Sequence, residues 1–256
     1  MDKTLLKGLM VLEALAGHEG EPLTIQALAT RVGLTKSNAH RTLQTLAHAG
    51  YAVRDESSGV YRSTLKLFEL GTIQLARLDV RREAAPVMRQ LADLTEETVH
   101  LSVLDGDTVI YVDKIDSPQP VRAYSVIGGR APAYCVATGK TLLAFQDDDY
   151  LDSRVLNLQA HTSATITDRA ALHAELRKIA RTGFAVNRGE WRDSVGGVAS
   201  PVFDGLGVVV AAIGISGPLE RLSPKRVKAL TPEVLKAGAH ISRSMGFRQP
   251  YFNTDS

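Results

Sequence analysis

The 256-residue chain has a single cysteine, Cys135, so it can form neither an internal disulfide nor a cysteine-built zinc site, and a reducing, cytoplasmic setting is expected. Long apolar runs are missing too. The longest stretch of glycine and apolar residues, 205–215, falls far short of the roughly 18 residues a membrane span needs and suits a buried strand. Lys7 and Glu13 interrupt the leucines of residues 5–15, so no secretory leader is expected there. Neither charge sign is in excess: 30 Lys and Arg stand against 28 Asp and Glu, and a net charge of +2 gives no whole-chain argument for nucleic acid. Repeats and low-complexity tracts are absent. What is present is 44% hydrophobic residues, enough for one full core or two smaller ones.

Charge order says more than charge total. Residues 1–64 carry seven Lys and Arg against six Asp and Glu, yet from position 22 to 54 there is no acid, while Arg31, Lys36, Arg41 and Arg54 give that window +4. Leu5, Leu6, Leu9, Leu12 and Ala16 recur at helical spacing up to Gly17. Thr24 offers a cap for a second short helix, Gly33 breaks it, and Thr35 offers a cap for a third that ends near Gly50. Two short strands, 51–54 and 60–62, then flank a polar turn. Ala29, Gly33 and Ala39 fall at the spacing of a helix-turn-helix, which needs small residues where its helices meet and glycine in the turn. Together these features predict a winged helix-turn-helix over 1–64. Candidate DNA contacts are Thr24, Gln26, Thr35, Lys36, Ser37, Asn38, His40 and Arg41 on and before the reading helix, and Arg54 in the wing.

A further helical pattern over 65–79 predicts a linker helix (65–80) with Leu67, Leu70 and Leu78 as a dimer seam. Beyond it, residues 81–250 mix helices (82–95, 138–146, 168–182, 224–245) with strands (98–104, 108–115, 120–127, 184–188, 195–203, 206–216). Tight links such as Asp105, Gly106, Asp107 predict hairpins, hence an α+β domain with a mainly antiparallel sheet.

Catalytic constellations are incomplete. Gly139, Lys140, Thr141 ends like a phosphate loop, but the glycine such a loop needs five residues earlier is Tyr134. His173 and Glu175 resemble half of a zinc deaminase site without its cysteines. Gly214 to Pro218 has the wrong register for a nucleophile elbow. Cys135, His100, His161 and His240 suit structural roles. No catalytic residue, metal site or cofactor is expected.

Three ordered blocks carry a family resemblance: residues 33–43, the pair 127–130 and 137–140, and 197–204 leading to 213–218. With them the chain resembles the IclR-type transcriptional regulators over residues 4–246. The resemblance implies a winged helix-turn-helix, a linker helix and a C-terminal effector-binding domain of GAF-like, antiparallel-sheet fold. It implies a regulator, of the repressor kind, that binds double-stranded operator DNA as a homodimer or dimer of dimers and takes a small carboxylate. The pocket positions it implies are Ala123, Ala137, Thr138, Asn187, Glu190, Trp191, Gly197, Gly214 and Ser216. At Asn187, Gly197 and Gly214 the family commonly carries an acid, a cysteine and a serine. The lost bulk implies a roomier pocket, fit for an aromatic acid, unless Tyr124, Tyr134 or Trp191 refills it. The alternative to a regulator is a small-molecule enzyme or metabolite carrier that uses its helix-turn-helix for protein contact.

Overall fold

The computed structural model describes residues 2–18, 23–76, 79–155 and 157–252. The chain separates into two compact units, Met1–Arg77 and Leu78–Ser256.

In the first unit, Asp2 caps α1 (Lys3–Ala16), accepting from the Thr4 and Leu5 amides at 2.8 and 3.2 Å. Thr24 caps α2 (Ile25–Arg31) and Thr35 caps α3 (Lys36–His48), so two hydroxyls satisfy first-turn donors that the helices leave open. Between them Gly33 takes φ +66°, a left-handed conformation that glycine adopts at little cost, and the Leu34 amide returns to the Ala29 carbonyl. Ala29 and Ala39 are fully buried where α2 meets α3, and Val11, Leu15, Leu28 and Leu43 fill the core around them. The wing is β1 (Ala52–Arg54) paired antiparallel with β2 (Tyr61–Ser63), pinned to the core by Ala52 and Tyr61. The helical segment α4 (Lys66–Ala76) follows.

The second unit begins with α5 (Asp79–Thr95) and is built on a six-stranded sheet. Its strands are β3 (Thr98–Asp105), β4 (Thr108–Ile115), β5 (Arg130–Pro132), β6 (Ala185–Arg188), β7 (Val195–Phe203) and β8 (Val209–Pro218), in spatial order β5-β4-β3-β8-β7-β6. Every pairing is antiparallel. Alternation along the strands makes two layers. Val99, Leu101, Val198, Ile213 and Ile215 face α5 and α9 (Pro224–Ser244). Val109, Tyr111, Ala185 and Ala212 face α6 (Ala137–Leu143) and α8 (Arg169–Thr182).

The short strand β5 was not expected from the sequence, and two further features depart from expectation. Residues 120–127 form no strand. Ala123 and Ser125 point inward and their neighbours outward, which is the alternation of a strand without a ladder. Side chains take the place of a partner strand: Arg221 donates to the Val121 carbonyl at 2.7 Å and Lys114 to the Ser125 carbonyl at 2.6 Å. A short helix absent from the sequence reading, α7 (Asp148–Arg154), is capped by Asp147 on the Tyr150 amide. Among the described residues no helix is long and apolar enough to cross a membrane, and no group of three His, Cys, Asp or Glu side chains stands ready for a metal ion.

Candidate functional site: a reading helix and a ligand cavity

Helix α3 turns its apolar stripe, Ala39 and Leu43, into the core, which leaves Lys36, Ser37, Asn38 and Arg41 exposed on one face. Thr24, Gln26 and Thr35 lie exposed around the start of the two helices, and Arg54 is exposed on β1. His40 differs: it is half-buried, edge-on to the wing residue Tyr61 at 6.3 Å, and locks α3 to the wing. The wing turn is preorganised by Asp55, whose carboxylate accepts from the Ser57 and Ser58 hydroxyls and amides; the Ser57 hydroxyl first, then the Ser58 amide and hydroxyl, hold it well below the usual range. Arg62, exposed on β2 opposite Val53, adds a wing cation that sequence reasoning passed over.

In the second unit a cavity of about 50 Å³ lies between the sheet and the start of α6. It brings together eight of the nine expected residues: Ala123, Ala137, Thr138, Asn187, Trp191, Gly197, Gly214 and Ser216. The register explains the convergence, since Gly197 stands opposite both Asn187 and Ser216 across two strand pairs. The cap position of α6 is Val136, which has no side-chain acceptor to offer, while Thr138 receives a hydrogen bond from Ser102 at 3.2 Å.

Glu190 is the exception. Its side chain leaves the cavity and meets Lys140, whose Nζ donates to Glu190 Oε1 at 2.7 Å and to the Val186 carbonyl at 2.8 Å, with Glu175 Oε1 at 3.8 Å. Lys140 is only 1% exposed. Burial pushes the Glu190 carboxyl above the usual carboxylate range, and Lys140 pulls it part of the way back. The Gly139–Lys140 step is thereby explained without a phosphate: a Cβ on Gly139 would collide with the Ala133 carbonyl, and the lysine pins the outer strand β6 to α6.

The roomier cavity does not appear. A Cβ on Gly197 would stand 2.6 Å from the Ile215 carbonyl oxygen, and one on Gly214 would stand 2.7 Å from the Ala199 Cβ. Those positions are close approaches of backbone, not vacated space. Trp191 and Tyr124 line what remains, whereas Tyr134 turns away to the Gln159 carbonyl and His161.

His100, Tyr111, Ser125 and Arg192 also line the cavity and were not expected. The His100 imidazole sits between two hydroxyls, Nε2 2.7 Å from Ser125 Oγ and Nδ1 3.2 Å from Ser216 Oγ, over the Tyr111 ring at 4.7 Å. Burial, with help from the Lys114 charge and against that of Asp116, lowers its pKa to about 4, so it is neutral and offers one donor and one acceptor. The available signal was polar Thr98, His100 and Ser102 at every second position of β3, with apolar Val99, Leu101 and Val103 between and after them. Arg192 brings a cation to the cavity, its guanidinium 4.7 Å from the Trp191 ring centre. Cys135 is buried, and burial pushes its thiol up to about 12, an inert state. His173 stands half-buried on α8, 3.9 Å from Asp148.

Residues 4–56 match the family described as the IclR helix-turn-helix domain, and residues 72–243 match the bacterial transcriptional regulator IclR C-terminal family. The transcriptional regulator KdgR of Escherichia coli is 39% identical over 246 residues, covering 95% of this chain and 93% of that protein. The Thermotoga maritima IclR crystal structure superposes with a TM-score of 0.79 at 29% identity, over 95% of this chain and 99% of that one. An IclR homologue from Microbacterium hydrocarbonoxydans, solved with 4-hydroxybenzoate, has the same fold: TM-score 0.82, 24% identity, 95% and 99% coverage.

Proposed function

Because this chain belongs to the IclR family of bacterial transcriptional regulators, we propose that it is a homo-oligomeric repressor that reads double-stranded operator DNA with α3 and the wing and answers to a small carboxylate in the α6 cavity. The carrying observation is the cavity's chemistry. One cation (Arg192), three hydroxyls (Ser125, Thr138, Ser216) and a neutral imidazole converge in a space walled by aromatic rings. A carboxylate finds a counter-charge there, and the Thr138 hydroxyl, with whichever of the Ser125 and Ser216 hydroxyls does not donate to His100, can donate to it.

Size narrows the class. At roughly 10–15 Å³ for each water-sized volume, about 50 Å³ suits an acid of about three to five non-hydrogen atoms. A ten-atom aromatic acid is the second reading. It is favoured by the homologue solved with 4-hydroxybenzoate and by Tyr124, 78% exposed on the unladdered 120–127 segment, where an outward swing would enlarge the mouth.

Effector control of repression requires the effector to bind the DNA-competent and DNA-free arrangements unequally. The dimer seam we assign is the apolar surface of α1 and of residues 65–70. Leu5, Leu9, Leu65, Phe68 and Leu70 are exposed, and Leu67 is half-buried. Leu78, expected in the same seam, lies outside the described residues.

Retardation of the gene's own upstream DNA at several salt concentrations, with and without glyoxylate, pyruvate and 4-hydroxybenzoate, tests the reading. Salt-sensitive binding released by one of these acids supports it; DNA binding that no acid alters, together with turnover of the added acid, refutes it. Ligand at about 100 times its Kd adds about 2.7 kcal/mol, a rise of roughly 5–10 °C in Tm for a unit of this size.

A further inference from the structure

A second concavity in the second unit is larger than the α6 cavity. It is a groove of about 880 Å³ on the opposite face of the sheet, where α9 stops short of covering the outer strand β6. Its floor is apolar: Phe184 and Val186 from the β6 side, Val227 and Leu235 from α9. Its rim is cationic, with Arg181, Arg188 and Lys228, and among the described residues no Asp or Glu lines it.

One end is a built wall. Tyr251 donates to the Pro201 carbonyl at 2.5 Å and stands 2.7 Å from Ser200 Oγ, which anchors the neighbouring Phe252 ring. That ring lies against Gly183, the left-handed cap of α8 at φ +78°, where any Cβ would collide with it. Arg188 is held by a bond to the Leu222 carbonyl at 3.1 Å, while Arg181 and Lys228 are exposed on the rim.

We propose that this groove is a second ligand site, separate from the effector cavity, that takes an amphipathic monoanion: an apolar body of about eight to twelve carbons laid on the β6–α9 floor and an acidic head held by the Arg181, Arg188 and Lys228 rim. The volume lies within the roughly 300–1,000 Å³ of small-molecule sites, and the single sign of the rim selects an anion. The two sites share a wall. Along β6, Asn187 faces the effector cavity while Val186 and Arg188 face the groove. Any effect of one ligand on the other's affinity is reciprocal by thermodynamic linkage.

Decanoate is the probe, read by displacement of the fluorescent anion 8-anilinonaphthalene-1-sulfonate from the full chain. The expected result is one saturable decanoate site per chain, with 1-decanol at least tenfold weaker. Arg181→Glu combined with Lys228→Glu, both on exposed side chains, should weaken decanoate at least tenfold and leave decanol and the melting temperature unmoved. Trp191→Ala in the other cavity should leave decanoate binding unchanged. Equal binding of acid and alcohol, no response to charge reversal, or loss of binding in Trp191→Ala each overturns the proposal. Light scattering in which decanoate splits the oligomer also overturns it, because the groove would then belong to a second chain.

Discussion

Replacing Lys140 by methionine keeps the length and apolar bulk of the side chain and deletes one charge at a place water barely reaches. The lysine is 1% exposed, and its three neighbours, the Glu190 carboxylate, the Val186 carbonyl and Glu175, all lie within 4 Å. Without it, Glu190 keeps its burial and loses its counter-charge, and one edge carbonyl of β6 loses its donor. Breaking a buried pair from one side costs about 3–5 kcal/mol. At roughly 2–4 °C per kcal/mol for a unit of this size, the melting temperature should fall by about 6–20 °C. Glu190→Gln should cost less, about 1–2 kcal/mol, because Lys140 retains Val186 and Glu175. The double variant should regain at least half of the Lys140→Met loss, since no unpaired charge is left inside.

The assay is thermal and urea unfolding followed by tryptophan emission. Trp191 is the chain's single tryptophan and adjoins Glu190, so the signal reports on this unit alone. The pH dependence has a definite sign. A carboxyl raised in the folded state contributes stability below its unfolded pKa and loses it as pH rises through the folded value. Removing Lys140 raises Glu190 further, so the deficit of Lys140→Met should shrink as pH falls from 8 toward 5. A melting temperature within about 2 °C of the parent, or a double variant no better than the single, would refute the claim that this pair pins β6 to α6.

Other outcomes follow from the same geometry. His100, neutral at about 4 when folded and ordinarily near 6.5, makes the native state bind fewer protons than the unfolded one; its contribution is complete above pH 6.5 and is lost, by about 3 kcal/mol, as pH falls to about 4. His100→Asn should flatten that acid limb in urea titrations, and an unchanged limb counts against the buried neutral imidazole. Gly214→Ala places a methyl 2.7 Å from the Ala199 Cβ and 2.8 Å from the Val198 carbonyl, and should cost about 1–3 kcal/mol in the same unfolding assay; a neutral result would restore the idea of spare room. Lys36→Ala with Arg41→Ala should lower the slope of log affinity against log salt by about 1.8, two phosphate contacts at roughly 0.9 each, and an unaltered slope would remove α3 from the DNA surface. Trp191→Ala should open the effector cavity enough for 4-hydroxybenzoate to raise the melting temperature beyond its effect on the parent; no gain would mean that another wall sets the size limit.

What could be read from the chain divides by how local its cause is. The winged helix-turn-helix was legible because its determinants lie within a few residues of what they shape: Thr24 and Thr35 cap the helices they precede, and Gly33 makes the turn between them. Residues 120–127 misled because their alternation is real while their hydrogen bonds come from Lys114 and Arg221, and no local pattern encodes an arginine 100 positions away. Glu190 misled in the same manner, since its partner Lys140 is 50 residues upstream and the burial that joins them exists only after β6 docks on α6. The glycines show the sharper error. Counting a missing side chain as empty volume assumes that the backbone stays where a larger residue would hold it, but interiors are close-packed, and at Gly197 and Gly214 the neighbouring strands occupy the space. Cavity size therefore follows from what refills a deletion, here the strand backbones together with Trp191 and Tyr124, and not from the number of glycines along its wall.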